Sequence, residues 1–161
     1  MLLSSSALCS TRALAAPADT SRANGFGYQD VVNWATALGE RPFDAGGLTL
    51  PAELSQLTYD SYREIRFRND KAFWREGGSD FRLLPFHHGF LHDKPVQLHI
   101  VNRGSAIPIP FTTALFEYGK VEVPRQLSPA LGFAGFAVTT NLNDIGVQDE
   151  LISFLGASYF R

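Results

Sequence analysis

Apolar positions change their spacing along this chain, and each spacing names an element. Between Phe26 and Gly39 the residues Val31, Trp34 or Ala35, and Leu38 recur with the period of a helix that has one apolar face. Phe26 and Val31 are placed as a hydrophobic staple around an N-cap at Gly27. Asp30 falls in the first turn, where the helix dipole favours an acid, and Gly39 can close the C-terminus. Trp34 lies on the apolar stripe, which makes it an anchor for this helix on a sheet, with a sugar platform as its other reading.

Pro42, Gly46-Gly47 and Pro51 mark a loop over 40–61, with a short turn around Ala52–Leu57. The period then drops to two. In Tyr62–Phe67, Ile65 and Phe67 face a core while Glu64 and Arg66 face outward, as in a half-exposed antiparallel strand. Phe81–Phe86 and Val96–Val101 are two more strands, joined through His92-Asp93-Lys94-Pro95; Val96, Leu98 and Ile100 alternate cleanly with Gln97 and His99. Pro108 and Pro110 confine 104–113 to an edge or loop, and Ala114-Leu115-Phe116 resumes extended structure. Leu131-Gly132-Phe133-Ala134-Gly135-Phe136-Ala137-Val138 reads as a buried strand whose glycines admit a close backbone or ring. The spacing of Val147, Leu151 and Leu155 predicts one short helix with Asp149 and Glu150 in its first turn. The final run, Leu155–Arg161, breaks off without a polar exit, so the 161 residues are expected to be part of a larger protein.

Composition narrows the class. With 45% apolar and 19% charged residues, the chain suits a globular domain and is too apolar for disorder. Thirteen Phe, five Tyr and two Trp favour β structure. A net charge of −2 without a basic cluster leaves no footprint for nucleic acid. Cys9 is the only cysteine, so disulfide scaffolds, thiolate metal sites and cysteine nucleophiles are excluded once the leader is gone. That leader is read over 1–18, where Ala13-Leu14-Ala15 and Ala16-Pro17-Ala18 form an export cleavage signature behind a truncated, non-basic start. An ordinary terminus is the alternative. Residues 19–25 read as a linker, and no later segment is apolar enough to insert in a membrane.

Candidate chemistry is sparse. His87-His88 with His92 and Asp93 would give metal-ligand spacing on a helix, but Pro85 and Gly89 place the pair at a strand end, so no metal is assigned. There is no G-x-S-x-G and no phosphate loop, and the reading calls for no cofactor. Asp60, Glu64, Asp70, Asp80 and Asp93 are scattered, and pairing of carboxylates for glycoside hydrolysis is a matter of spatial separation.

Four blocks carry a resemblance: Tyr62–Trp74, Phe86-His87-His88-Gly89-Phe90 with Pro95-Val96, Leu131–Phe136, and Leu155–Arg161. In order and spacing they resemble the N-terminal part of the periplasmic glucans biosynthesis proteins G and D, and with the opening helix the likeness covers about 26–161. The resemblance implies a mainly β fold with one N-terminal helix: part of a galactose-mutarotase-like antiparallel β-sandwich with a long groove. It implies a periplasmic role in making osmoregulated glucans with a β-1,2-linked backbone, as an endo-β-1,2-glucanase-like hydrolase or, alternatively, a non-catalytic glucan-binding factor for the membrane glucosyltransferase. The family's catalytic acid is expected beyond the position of Arg161, so no catalytic residue is assigned.

Sugar sites combine aromatic faces with hydrogen-bonding groups, which singles out Trp74, His87, His88, Tyr159 and Arg161 as substrate-binding candidates. Tyr159 and Arg161 would share a strand face opposite Phe160, and the small Gly156-Ala157-Ser158 before them leaves a ligand room. Against this stands the reading that the rings fill a core and Arg161 pairs with an acid.

Overall fold

The first helix, α1 (Tyr28–Gly39), starts where the sequence places it: the Asp30 carboxylate reaches back to accept from the Gly27 N–H at 2.9 Å. The computed structural model describes residues 25–43, 49–124, 127–144, 146–156 and 159–160, the last two by backbone alone. The leader 1–18, nearly all of the 19–25 linker, and Arg161 lie outside them. Among the described residues the stripe of α1 is not covered by a sheet: Trp34 is 56% exposed, and Val31 and Leu38 are also open. The expectation that Trp34 anchors the helix is therefore corrected. The helix is tied at its entry instead, by the Phe26 N–H donating to the Gly104 carbonyl at 2.6 Å.

Two short helices follow, α2 (Ala52–Ser55) and α3 (Tyr59–Glu64). The second corrects the reading of 62–67 as one strand: the Thr58 hydroxyl caps it by accepting from the Ser61 N–H at 3.2 Å, and extended pairing begins only at β1 (Arg66–Phe67). After β2 (Arg82–Phe86), the strands β3 (His99–Asn102) and β4 (Ser105–Pro108) form a hairpin. Arg103 and Gly104, both at positive φ, supply its two-residue turn. Pro108 closes an edge strand, where a missing N–H is tolerated. β5 (Phe116–Glu117) pairs with β1.

The principal sheet runs β2, β6 (Gly135–Thr140), β7 (Asp149–Leu155), β8 (Tyr159–Phe160), antiparallel throughout. The expected helix over 147–155 is thus a strand. A bulge between Val138 and Thr139 pairs Val138 with Ile152 and Thr139 with Glu150, so Leu151 is the extra residue. A spacing of four, as at Leu151 and Leu155, fits a strand's period of two as well as a helix, and pairing with β6 decides for the strand.

Register puts Leu83, Pro85, Phe136, Val138, Ile152 and Phe154 on one face. Its β2 side packs into a core of Leu54, Phe111, Phe116, Leu131 and Phe133, each large apolar side chain contributing about 2–3 kcal/mol by leaving water. Val96 and Phe133 exchange backbone hydrogen bonds of 2.7 and 3.2 Å and tie the β3 approach to this core. The architecture is mainly antiparallel β with few helices and, among the described residues, no closed barrel, as part of a β-sandwich requires. No helix among the described residues is long and apolar enough to cross a membrane.

Candidate functional site

The chain leaves β2 through His87 and His88 and turns back at Gly89, whose N–H donates to the His92 carbonyl at 3.2 Å. Both histidine side chains are buried. His87 Nδ1 lies 2.5 Å from the His88 carbonyl and Nε2 lies 3.0 Å from the Tyr118 hydroxyl. A carbonyl only accepts, so Nδ1 carries the proton and Nε2 accepts from the phenol. Burial pushes the His87 pKa down to about 4, with the His88 carbonyl opposing it. The Phe111, Phe116 and Tyr118 rings stand edge-on around it at 4.8–5.4 Å. Tyr62, from α3, donates its hydroxyl to the His87 carbonyl at 2.9 Å; burial raises both Tyr62 and Tyr118 to about 12, so both remain donors.

His88 repeats the arrangement one residue on. Its Nδ1 donates to the His92 carbonyl at 3.0 Å, while Nε2 is buried without a hydrogen-bond partner. Burial lowers its pKa; the His92 and Leu131 main chain and Asp93 act upward, though Leu131 completes no hydrogen bond to Nε2. His92 is lowered too, again by burial first, and its ring sits 5.3 Å from that of Tyr62. The cluster joins α3, the end of β2 and the segment after β5 into one rigid unit.

Outside this unit lies an open cleft of about 550 Å³ lined by residues of 52–64 and 120–122. Glu53, Asp60, Glu64 and Glu122 supply carboxylates, with Gln56, Ser61 and Lys120 between them. Sequence reasoning left Asp60 and Glu64 among scattered acids. Spacing does not bring them together, because α2 ends at Ser55 and α3 begins at Tyr59; the turn between the two helices sets Glu53 and Gln56 beside Asp60, Ser61 and Glu64 along the cleft. Tyr62 and Tyr118 were missed because their role depends on a contact across 25 and 31 residues with His87.

Of the five sequence candidates, the three whose side chains are described do not converge. His87 and His88 face inward and hold their neighbours in place; neither presents a ring to solvent. Trp74 is 43% exposed in a different loop. Tyr159 lies on β8 opposite Leu155, with only its backbone described, and Arg161 is outside the described residues.

An antiparallel β domain with an aromatic-rich core and a polar cleft defines a broad class, and comparison narrows it. Residues 26–161 match the family described as periplasmic glucan biosynthesis protein, MdoG, and the chain belongs to that family. It is 44% identical over 148 residues to glucans biosynthesis protein G of Ralstonia nicotianae, a match covering 92% of this chain and 29% of that protein. Its counterparts in Rhodopseudomonas palustris and Pectobacterium carotovorum are 38% and 35% identical over 91% and 84% of this chain, and over 29% and 26% of their own lengths. The chain therefore spans under a third of the relatives it matches.

Proposed function

We propose that the protein acts in periplasmic glucan biosynthesis, with residues 26–161 forming the N-terminal part of the β-sandwich domain that handles the glucan. The family match across 26–161, with identities of 35–44% to proteins named for glucan biosynthesis, carries this reading. The substrate is a β-1,2-linked glucan, and the reaction of the whole protein is endo-hydrolysis: a carboxylic acid protonates the leaving oxygen while water attacks the anomeric carbon. Tyr159 and Arg161 belong to the groove in this reading, supported by their alternation about Phe160 and the small residues before them.

A second reading, a non-catalytic factor that holds nascent glucan for the membrane glucosyltransferase, is favoured by one observation. His87, whose pKa is pushed down to about 4, is buried and held by the part-buried Tyr62 and Tyr118, so this cluster offers structure to the domain and not an exposed acid or base. Incubating full-length protein with linear β-1,2-glucan separates the two. Shorter oligosaccharides support hydrolysis; retention on immobilised glucan with no shortening at high protein concentration supports the binding factor.

A further inference from the structure

Three non-glycine residues among those described hold a positive φ: Trp74 at 68°, Phe90 at 55° and Arg103 at 48°. That conformation brings Cβ close to a carbonyl oxygen, so it is sterically costly for any residue but glycine and is rare for bulky ones. Arg103 is explained by the hairpin turn. Phe90 recovers the cost in packing, with its ring 6.1 Å from Tyr59 and 6.5 Å from Tyr62. Trp74 has neither explanation. It is 43% exposed, and among the described residues its ring meets no other ring and its indole N–H no acceptor.

The loop that carries it is held firmly. Phe73 and Leu83 exchange backbone hydrogen bonds of 3.1 and 3.2 Å, and the Phe73 ring packs 6.1 Å from Phe67. Arg82 closes the far side by donating to the Ser79 and Phe81 carbonyls. With Phe73 fixed inward, the turn at Trp74 directs the indole outward. Arg75, Glu76 and Asp80 around it are exposed, and the space beside Gly78 is open.

We propose that Trp74 is a stacking platform for one pyranose ring of a glucan, with Arg75 and Glu76 at its rim as hydrogen-bonding partners for the hydroxyls. A pyranose has an apolar C–H face and a polar rim, and an exposed indole in a loop that also carries the exposed Phe81 and the exposed charged residues Arg75, Glu76 and Asp80 complements that pattern. A protein partner would require a broader contiguous apolar patch. The inference rests on the glucan reading above and deepens it.

These 161 residues contain two tryptophans, so in a Trp34→Phe variant of this chain Trp74 is the sole reporter. Titration with linear β-1,2-linked gluco-oligosaccharides is expected to shift and quench its emission. Trp74→Gly, which relieves the positive φ, is expected to keep or raise the melting temperature while weakening binding by about tenfold, and Trp74→Tyr to recover most of the affinity. Unchanged affinity in Trp74→Gly, or an emission that ignores bound sugar, overturns the platform and leaves the glucan reading intact. If the unaltered chain and the full-length protein both bind no glucan, the glucan reading fails and the platform fails with it.

Discussion

Tyr118 donates its phenol to Nε2 of His87 across 3.0 Å, and this bond fixes the tautomer of an imidazole that burial holds neutral. The consequence is a stability that depends on pH. His87 is pushed down to about 4 in the folded chain against 6.5 when unfolded, so between those values the unfolded state binds the extra proton. Stability is complete above about pH 6.5 and is lost as pH falls toward 4, by at most about 3 kcal/mol for this group. His88 and His92 are lowered as well and act with the same sign.

His87→Phe keeps a ring among Phe111, Phe116 and Tyr118 but deletes the titration and the acceptor for Tyr118. At pH 7.5 it is expected to cost about 1–2 kcal/mol from the stranded hydroxyl. The gap to the unaltered protein should narrow as pH drops toward 4. Denaturant melts at three pH values measure this, and parallel pH slopes for the two proteins would exclude His87 as the source.

Gly135 opens β6 at a φ of 153°, where an added Cβ would sit on the Phe154 carbonyl of the neighbouring strand. Backbone cannot move aside without breaking the β6–β7 ladder. Gly135→Ala is expected to destabilise by about 3 kcal/mol or more, beyond the ordinary cost of a surface change. Gly78→Ala, also at positive φ but with nothing near its Cβ, should cost about 1 kcal/mol. Equal losses at the two sites would show that conformation alone, and not the close approach, governs Gly135.

That close approach was legible in the sequence, where Gly132 and Gly135 stand among aromatic residues that would otherwise fill a strand. The opening helix, the 82–86 strand and the placement of His87-His88 at a strand end were legible for the same reason: each rests on local periodicity or punctuation. What was hidden depends on partners. The four-residue spacing of Val147, Leu151 and Leu155 fits a strand as well as a helix, and only pairing with β6 decides between them. Thr58 outweighs the alternation of Ile65 and Phe67 by capping the residues before them. The Tyr62–His87–Tyr118 network joins segments that no short window contains, and the burial of His87 and His88 follows from it.

The last expectation concerns the open side of the main sheet. Phe136 and Phe154 stack at 4.9 Å across β6 and β7, continuing the apolar row that begins at Leu83 and Pro85. Toward β7 this row emerges from cover: Ile152 is 38% and Phe154 36% exposed, while Leu83 is buried. Such a strip beside strand backbone favours association with other chains. Residues 26–161 alone are expected to form oligomers at micromolar concentration. Phe154→Lys places a charge on the strip, and it should shift the population toward monomer at a cost of about 1–2 kcal/mol, since Phe154 is only partly buried. Sedimentation measures the first effect and thermal melting the second. If Phe154→Lys leaves the oligomer intact, association runs through another surface, for which the exposed stripe of Val31, Trp34 and Leu38 on α1 is the next to charge.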